Sequence, residues 1–253
     1  MSITVQPISA DQHLAFIAER GSASFLQTPA WGKVKPEWRS ESIGWFDDDE
    51  LIGVGLVLYR QLPKLKRFLA YLPEGPVLDW ERTDIEEQLG ALVSHAKGAK
   101  AFAVRIGPAA VHRIWGPETV KAAIADEDVK MLSEAEPDEI SLAAVRWLRQ
   151  LEHLGWRSIT EEGGFSAGQP KFNFYLRLKD DEGTSLTEDE LLKGMNQQWR
   201  RNIRKADKSG VEIRLGTREE LADFHRVYLE TAERDNFTGR PLSYFQTMWD
   251  ALR

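Results

Sequence analysis

A cluster of basic residues late in the chain is the part of the sequence best suited to chemistry. Between residues 193 and 208 six lysines and arginines accompany a single acidic residue, Asp207. The six are Lys193, Arg200, Arg201, Arg204, Lys205 and Lys208. Helical spacing gathers them on one broad face, and such a face can bind phosphate. A solvated surface helix would show the same pattern, so charge alone leaves both interpretations open.

The composition of the whole chain limits the ligands that this basic cluster can bind. The 253 residues carry a formal net charge of −7, so a polyanion would have to meet a local basic surface. With no cysteine, disulfides and thiolate metal sites are excluded, and the five histidines are too scattered for a local metal motif. We therefore expect no metal. The sequence contains no membrane-spanning apolar stretch and no signal peptide, which predicts a cytoplasmic protein.

Hydrophobic periodicity predicts the elements that must position these residues. Strands are predicted at residues 3–8, 41–46, 51–59, 68–72, 101–106, 156–160, 172–178 and 211–215. Helices are predicted at residues 10–20, 29–35, 83–97, 141–154, 187–208, about 217–232, and from 242 onward, with an acidic surface loop or short irregular helix at 125–139. The strand at 101–106 should be buried, and Trp199 should lie in the core on the apolar stripe of helix 187–208. This order indicates an α/β (α+β) protein with an acyltransferase fold of the GNAT type.

The order of elements also divides the chain. Residues 1–180 are predicted to form a first GNAT-like domain, and residues 181–253 contain the basic helix and the start of a second one. The second part repeats the strand and helix that open the chain. A lone strand with two or three helices cannot bury the faces it presents. We therefore expect this second domain to be incomplete and the natural protein to continue.

Four segments resemble, in order, signatures of the Fem (FemABX) peptidoglycan-bridge aminoacyltransferases. They are FLQTPAWGKVK, EGPVLDW, LLKGMNQQWRRNIRKADKSGVEI and FHRVYLETAERDNFTGRPLSYF. The resemblance implies tandem GNAT-like domains with a peptidoglycan precursor, UDP-MurNAc-pentapeptide or lipid II, bound at their junction, and aminoacyl-tRNA as the donor. It implies no metal, no acyl-CoA and no other cofactor. We expect a monomer, and peripheral contact with the membrane is left open.

The resemblance implies roles for several basic residues. Lys35 matches the family lysine that contacts the diphosphate of the precursor, with Lys33 as the nearby alternative. Arg200 matches the arginine that binds the same diphosphate. Arg201 or Arg204 would lie near the tRNA or a second phosphate.

Two further residues come from the last of the four segments. Tyr228 and Arg234 fall in a stretch that resembles the family's precursor-side loop. A surface loop held by local ion pairs is the alternative interpretation of that stretch. These two residues complete the predicted binding set.

The resemblance identifies no catalytic residue. Gly107 stands where many family members have an aspartate before the proline. The attacking amine meets an already activated ester, so positioning and oxyanion stabilisation can supply most of the rate. In the family a late lysine assists, and no position before Arg253 matches it. The resemblance thus implies that the chain as given is inactive.

Two other functions compete with this one. An acyl-CoA-dependent GNAT N-acyltransferase should show a glycine-rich pyrophosphate turn opening a helix. Gly53 and Gly55 lie instead inside a predicted strand, and Pro108 after Gly107 has no amide donor. A non-enzymatic RNA-binding module would account for the basic helix but not for the GNAT-like domain.

Overall fold

A five-stranded sheet forms the centre of unit 1 in this computed structural model, which describes residues 3–21, 23–159, 170 and 172–253. Unit 1 comprises Met1–Gln169 and Thr247–Arg253, and unit 2 comprises Pro170–Gln246. The strands are β1 (Ile3–Pro7), β2 (Arg39–Asp47), β3 (Glu50–Gln61), β4 (Phe68–Leu72) and β5 (Ala101–Ile106), and their sheet order follows the chain. Strands β1 to β4 pair antiparallel with one another in turn, whereas β5 runs parallel to β4.

Local chemistry accounts for these connections. The acidic turn between β2 and β3 is tight, and Asp48 adopts a left-handed conformation (φ 53°) that aspartate tolerates. A parallel pair cannot be joined by a tight turn. The chain between β4 and β5 therefore crosses over through a helix, α3 (Ile85–Gly98).

Helices cover both faces of the sheet. The shorter ones, α1 (Ala10–Ala18) and α2 (Pro29–Val34), pack against β2 and β3 on one side. On the other side α3 and α5 (Leu142–His153) share a core with Ile43 and Trp45. The indole N–H of Trp45 donates to the backbone oxygen of Gln88 on α3 at 2.8 Å. Strand β3 is consequently buried on both faces.

Between β5 and α5 the chain forms peripheral structure. It contains α4 (Pro117–Ala125) and a small hairpin of β6 (Arg113–Ile114) with β7 (Glu139–Ile140). Sequence periodicity does not predict any of these three elements. The predicted irregular stretch at 125–139 contains a single 3-10 turn at Leu132–Glu134.

Unit 2 is helical in the residues the structure describes. Its helices are α6 (Glu188–Gly194), α7 (Gln197–Lys208), α8 (Leu221–Arg234) and the first half of α9 (Leu242–Leu252). Among the described residues of this unit only Ala232 is buried. Within the described ranges, no helix is both long and apolar enough to cross a bilayer.

The α/β fold class and the unit 1 strands and helices named in the sequence analysis are confirmed up to residue 154, apart from the burial of one strand. Strand β5 is half-buried, with Phe102 54% exposed, where a buried strand is predicted. It lies at the edge of the sheet, and β4 is its one strand partner in the described chain.

The predicted strands near the end of unit 1 and in unit 2 are wrong. The structure has no strand at 156–159, 172–178 or 211–215, and Thr160 lies outside the described residues. Their sequences alternate as strands do, but a strand exists only where its backbone pairs with another. The predicted single helix at 187–208 is also wrong, because it divides into α6 and α7.

Candidate functional site

Helix α7 is delimited by caps made from its own residues. The side-chain oxygen of Asn196 accepts the amide N–H of Trp199 at 2.9 Å, which starts the helix. At the other end Gly210 adopts φ +69°. The amide of Val211 then donates to Ala206 at 3.1 Å, closing a Schellman motif.

Helix α7 presents a broad cationic face. At 3.6 residues per turn its basic side chains fall within an arc of roughly 140°. They are Arg200, Arg201, Arg204, Lys205 and Lys208, of which Arg200 is half-buried and the others are exposed. None of the five forms an ion pair with another residue in the described part of the chain. Their charge is therefore left for a ligand or for solvent.

The break before α7 changes which residues share its surface. Lys193 belongs to α6, so it does not continue the cationic face of α7. Trp199 is 59% exposed, and the prediction that it lies in a core is wrong. Unit 2 buries too little apolar surface in its described residues to enclose an indole.

Lys35 lies in unit 1 at the C-terminal end of α2. Pro29 starts this helix at a position where its missing N–H costs nothing. Trp31 is buried against Phe25, with ring centroids 5.4 Å apart. The half-buried Lys35 carries its ammonium 5.7 Å above the Trp31 ring. Lys33, the alternative, is exposed.

A buried glutamine joins the segment before α2 to the loop after β4. The Gln27 amide donates to the backbone oxygen of Pro73 at 2.6 Å, and its oxygen accepts the N–H of Leu56 at 2.9 Å. A Cβ atom on Gly75 would lie 2.3 Å from the Gln27 side chain, so only glycine fits there. The segments FLQTPAWGKVK and EGPVLDW thus meet in space. Sequence reasoning missed Gln27, and its only signal was a polar residue inside an apolar segment.

Position 107 has room for a side chain. The amide of Gly107 donates to the backbone oxygen of Gly75 at 3.0 Å. An added Cβ would find one backbone atom within 4 Å, the nitrogen of Glu74 at 3.9 Å. The lack of a carboxylate at this place is therefore a property of the sequence and does not reflect crowding.

Tyr228 lies at the centre of an aromatic group on α8. Its ring stacks on Phe224 at 6.1 Å and meets Phe245 of α9 edge-on at 5.1 Å. Phe237 lies 5.8 Å away. The hydroxyl accepts the amide N–H of Arg240 at 3.0 Å. Tyr228 therefore holds the loop after α8, whatever else it contacts.

Arg234 ends α8 in a bidentate ion pair. Its guanidinium donates to both carboxylate oxygens of Asp235 at 2.8 and 3.0 Å. This pair is exposed and lowers the pKa of the Asp235 carboxyl. A substrate anion would have to compete with Asp235 for Arg234.

The predicted binding residues therefore fall on three elements. Lys35 belongs to unit 1, whereas the arginines of α7 and the α8 pair Tyr228 and Arg234 belong to unit 2. Within the described chain no cluster of three or more His, Asp or Glu side chains is arranged to hold a metal ion.

Comparison with known proteins gives consistent matches. The model of the FemAB family matches residues 8–252. The lipid II:glycine glycyltransferase of Staphylococcus epidermidis is 28% identical over 97% of this chain and 52% of its own length. The protein of that name from Staphylococcus aureus (strain MRSA252) is also 28% identical, over 97% of this chain and 51% of its own length.

A solved structure shares the fold. The crystal structure of FemX superposes with a TM-score of 0.72 at 26% identity, covering 98% of this chain and 54% of that one. The chain thus spans about half the length of the relatives it matches.

Proposed function

Since the chain belongs to the FemAB family, we propose that it takes part in transferring an amino acid from aminoacyl-tRNA to the stem peptide of a peptidoglycan precursor. Relatives of this chain bear the name lipid II:glycine glycyltransferase, which supports a precursor of this class as the acceptor. We place the reaction in the cytoplasm, where charged tRNA is available.

The observation that carries the proposal is the cationic face of α7. Five positive side chains without ion-pair partners in the described chain stand on one helix of a protein whose net charge is −7. Both proposed substrates are anionic, the precursor through its diphosphate and the tRNA through its backbone. Arginine is well suited to such ligands because its planar fork binds phosphate oxygens in pairs.

We assign a phosphate-binding role toward the precursor to Lys35 and, separately, to Arg200. Lys35 sits on a helix fixed by the buried Trp31, and Arg200 is the half-buried member of the α7 face. Arg201 and Arg204, one turn apart on the exposed part, are left for the tRNA or a second phosphate. Tyr228 and Arg234 are assigned to the stem-peptide side.

The proposed reaction needs little general-base catalysis. The acceptor amine attacks the ester carbonyl carbon of the aminoacyl-tRNA, a C–N bond forms, and the ester C–O bond breaks. The amine loses a proton and the ribose hydroxyl of the tRNA gains one. Holding amine and ester together supplies most of the required acceleration. Fixed positive charge stabilises the oxyanion that develops on the carbonyl oxygen.

Calorimetric titration of UDP-MurNAc-pentapeptide into this chain tests the proposal. We expect binding that Lys35→Ala combined with Arg200→Ala weakens at least about 100-fold, because each charge-assisted contact contributes about 1.5–3 kcal/mol. The matched control is Lys66→Ala with Lys193→Ala, which removes equal charge from exposed lysines of the same two units outside the proposed contacts.

Three outcomes would contradict the proposal. Loss of binding in the control to the same extent would show a general charge effect. Absence of binding by the folded wild-type chain would remove the nucleotide-linked precursor as acceptor. Tight binding of acetyl-CoA in its place would favour an acyl-CoA-dependent enzyme.

A further inference from the structure

The loop that follows α8 is folded back onto that helix. Asn236 takes a left-handed conformation (φ 55°), and the amide of Phe237 donates to the backbone oxygen of Ala232 at 3.0 Å. Gly239 then passes so close to α8 that an added Cβ would lie 2.9 Å from a methyl of Leu229. The backbone path up to residue 240 is therefore set by α8.

The backbone of Arg240 is held at both of its polar atoms. Its N–H donates to the Tyr228 hydroxyl at 3.0 Å, and its carbonyl oxygen accepts from Nε2 of His225 at 2.9 Å. Both partners project from one face of α8, and their rings lie 6.1 Å apart. Because side chains of α8 hold both the N–H and the carbonyl oxygen of Arg240, the guanidinium of this residue is pre-oriented.

The guanidinium of Arg240 differs from that of its neighbour Arg234. It lies 4.8 Å above the ring of Tyr244, and no carboxylate in the described part of the chain pairs with it. Arg234 instead binds Asp235 through both of its donors. Stacking on a ring leaves the edge donors of a guanidinium open for an oxyanion. Within the described chain, Arg240 is thus the cation of this loop whose donor edge engages no carboxylate.

We propose that Arg240 binds one anionic group of the peptidoglycan precursor, with His225 and Tyr228 as the residues that position it. This assignment rests on the proposed function and adds a residue to it. The ligand is a single phosphate or carboxylate and not an RNA backbone, because Arg240 is one cation in a stretch where Arg226 and Arg234 are already paired with Glu230 and Asp235. Such a stretch presents no extended positive surface for a polyanion, whereas one cation can hold one localised anion.

Calorimetric titration of UDP-MurNAc-pentapeptide into single variants of this chain tests the assignment. Arg240→Ala should weaken binding about 10- to 100-fold, and Arg240→Lys should restore part of it, because lysine keeps the charge without the fork. Arg226→Ala is the matched control, since Arg226 is an exposed arginine of α8 paired with Glu230. It should change affinity less than about 3-fold.

Testing the positioning role of Tyr228 requires a measurement that distinguishes it from a loss of folding. Tyr228→Phe removes only the hydroxyl that accepts the Arg240 amide, and it should weaken binding about 3- to 10-fold in the wild-type background. In the Arg240→Ala background the loss should be smaller, because the part of it that acts through Arg240 is gone. An equal loss in both backgrounds would overturn the positioning role.

Two probes identify the anion. UDP alone carries the diphosphate, and the free stem pentapeptide carries the carboxylates. The probe whose affinity falls in Arg240→Ala holds the group that Arg240 binds. If Arg240→Ala binds the precursor as tightly as wild-type protein does, whether or not Arg234→Ala loses affinity, the assignment of Arg240 is overturned and the proposed function stands. If folded wild-type protein binds none of the three compounds, both are overturned.

Discussion

Unit 1 and unit 2 reach their structures by different means. In unit 1 a sheet covered on both faces buries Trp45, Tyr59 and Leu92 to within 1% exposure. In unit 2 Ala232 is the one buried residue of the described part, and Ile213 and Leu215 are 94% and 96% exposed. Helix caps and loop contacts between residues close in sequence define the structure of unit 2. The candidate binding cations of α7 therefore stand on a helix defined by its own sequence, whereas Lys35 depends on a core.

Truncating a core side chain should give the largest difference in stability between the two units. Leu92→Ala empties a fully buried site on α3 and should lower the free energy of unfolding by about 2–5 kcal/mol. Leu215→Ala, the same change in unit 2, should lower it by less than about 0.5 kcal/mol. Urea denaturation of both variants measures this difference. Equal losses would show that unit 2 has a core of its own and would remove the contrast.

Crowding Gln27 should give the next largest effect. Gly75→Ala would drive a methyl group into the Gln27 amide and break two buried hydrogen bonds, at a cost of roughly 2–4 kcal/mol. Gly107→Ala is the control, because a methyl there meets nothing closer than 3.9 Å. It should cost less than about 1 kcal/mol. Comparison of the two urea midpoints distinguishes a specific clash from a general intolerance of this loop.

A buried histidine makes the stability of unit 1 depend on pH. His13 is fully buried, its Nδ1 lies 3.1 Å from the Ser42 hydroxyl, and no described residue partners its Nε2. Burial lowers the pKa of this imidazole from 6.5 to about 4. The unfolded chain therefore binds a proton more readily than the folded protein across that interval. Stability is full above pH 6.5 and falls by about 2–3 kcal/mol as the pH drops to 4.

A substitution isolates this contribution from the carboxylates. His13→Asn keeps a polar group beside Ser42 and cannot titrate in this range. Its free energy of unfolding should fall less steeply than that of wild-type protein between pH 6.5 and 4. Parallel curves for the two proteins would show that folding does not lower the pKa of His13.

The smallest predicted effect concerns the start of α7. Asn196→Ala removes the oxygen that accepts the Trp199 amide and should cost about 1 kcal/mol of local helix stability. Faster hydrogen exchange at the first turn of α7 would report this loss, with α3 unaffected. Gln198→Ala, which removes an exposed contact with Asn202, should leave that exchange unchanged. Faster exchange at α3 as well as at α7 would contradict the local origin of α7.

Sequence reasoning succeeded where the sequence itself decides the structure. The acidic hairpin turn and helix α3 follow from periodicity and turn chemistry, since their apolar faces meet a sheet formed by nearby segments. The capping box of Thr187 and Glu190 is present, with the Thr187 amide donating to Glu190 at 2.8 Å. Asn196 favours a new helix start, but the sequence prediction does not use it and runs a single helix through residues 187–208.

The failures share a physical cause. Residues 172–178 and 211–215 have the composition of strands, but pairing is a property of two segments, and one sequence does not tell which partner is near. The exposure of Trp199 follows from the same lack of a covering element. The contacts of Arg240 depend on how residues 235–241 fold back, which no periodicity encodes. The roles of Lys35 and of the α7 arginines were inferred from the family resemblance, and they remain predictions.

The proposed function requires one chain to bind both an acceptor precursor and an RNA donor. Fluorescence anisotropy of a labelled tRNA acceptor-stem RNA, with and without saturating UDP-MurNAc-pentapeptide, tests it most directly. We predict RNA binding that weakens with salt, that weakens further in Arg201→Ala with Arg204→Ala, and that persists when precursor is bound to the same protein. RNA binding by a folded chain to which no precursor binds would contradict the claim and indicate an RNA-binding module.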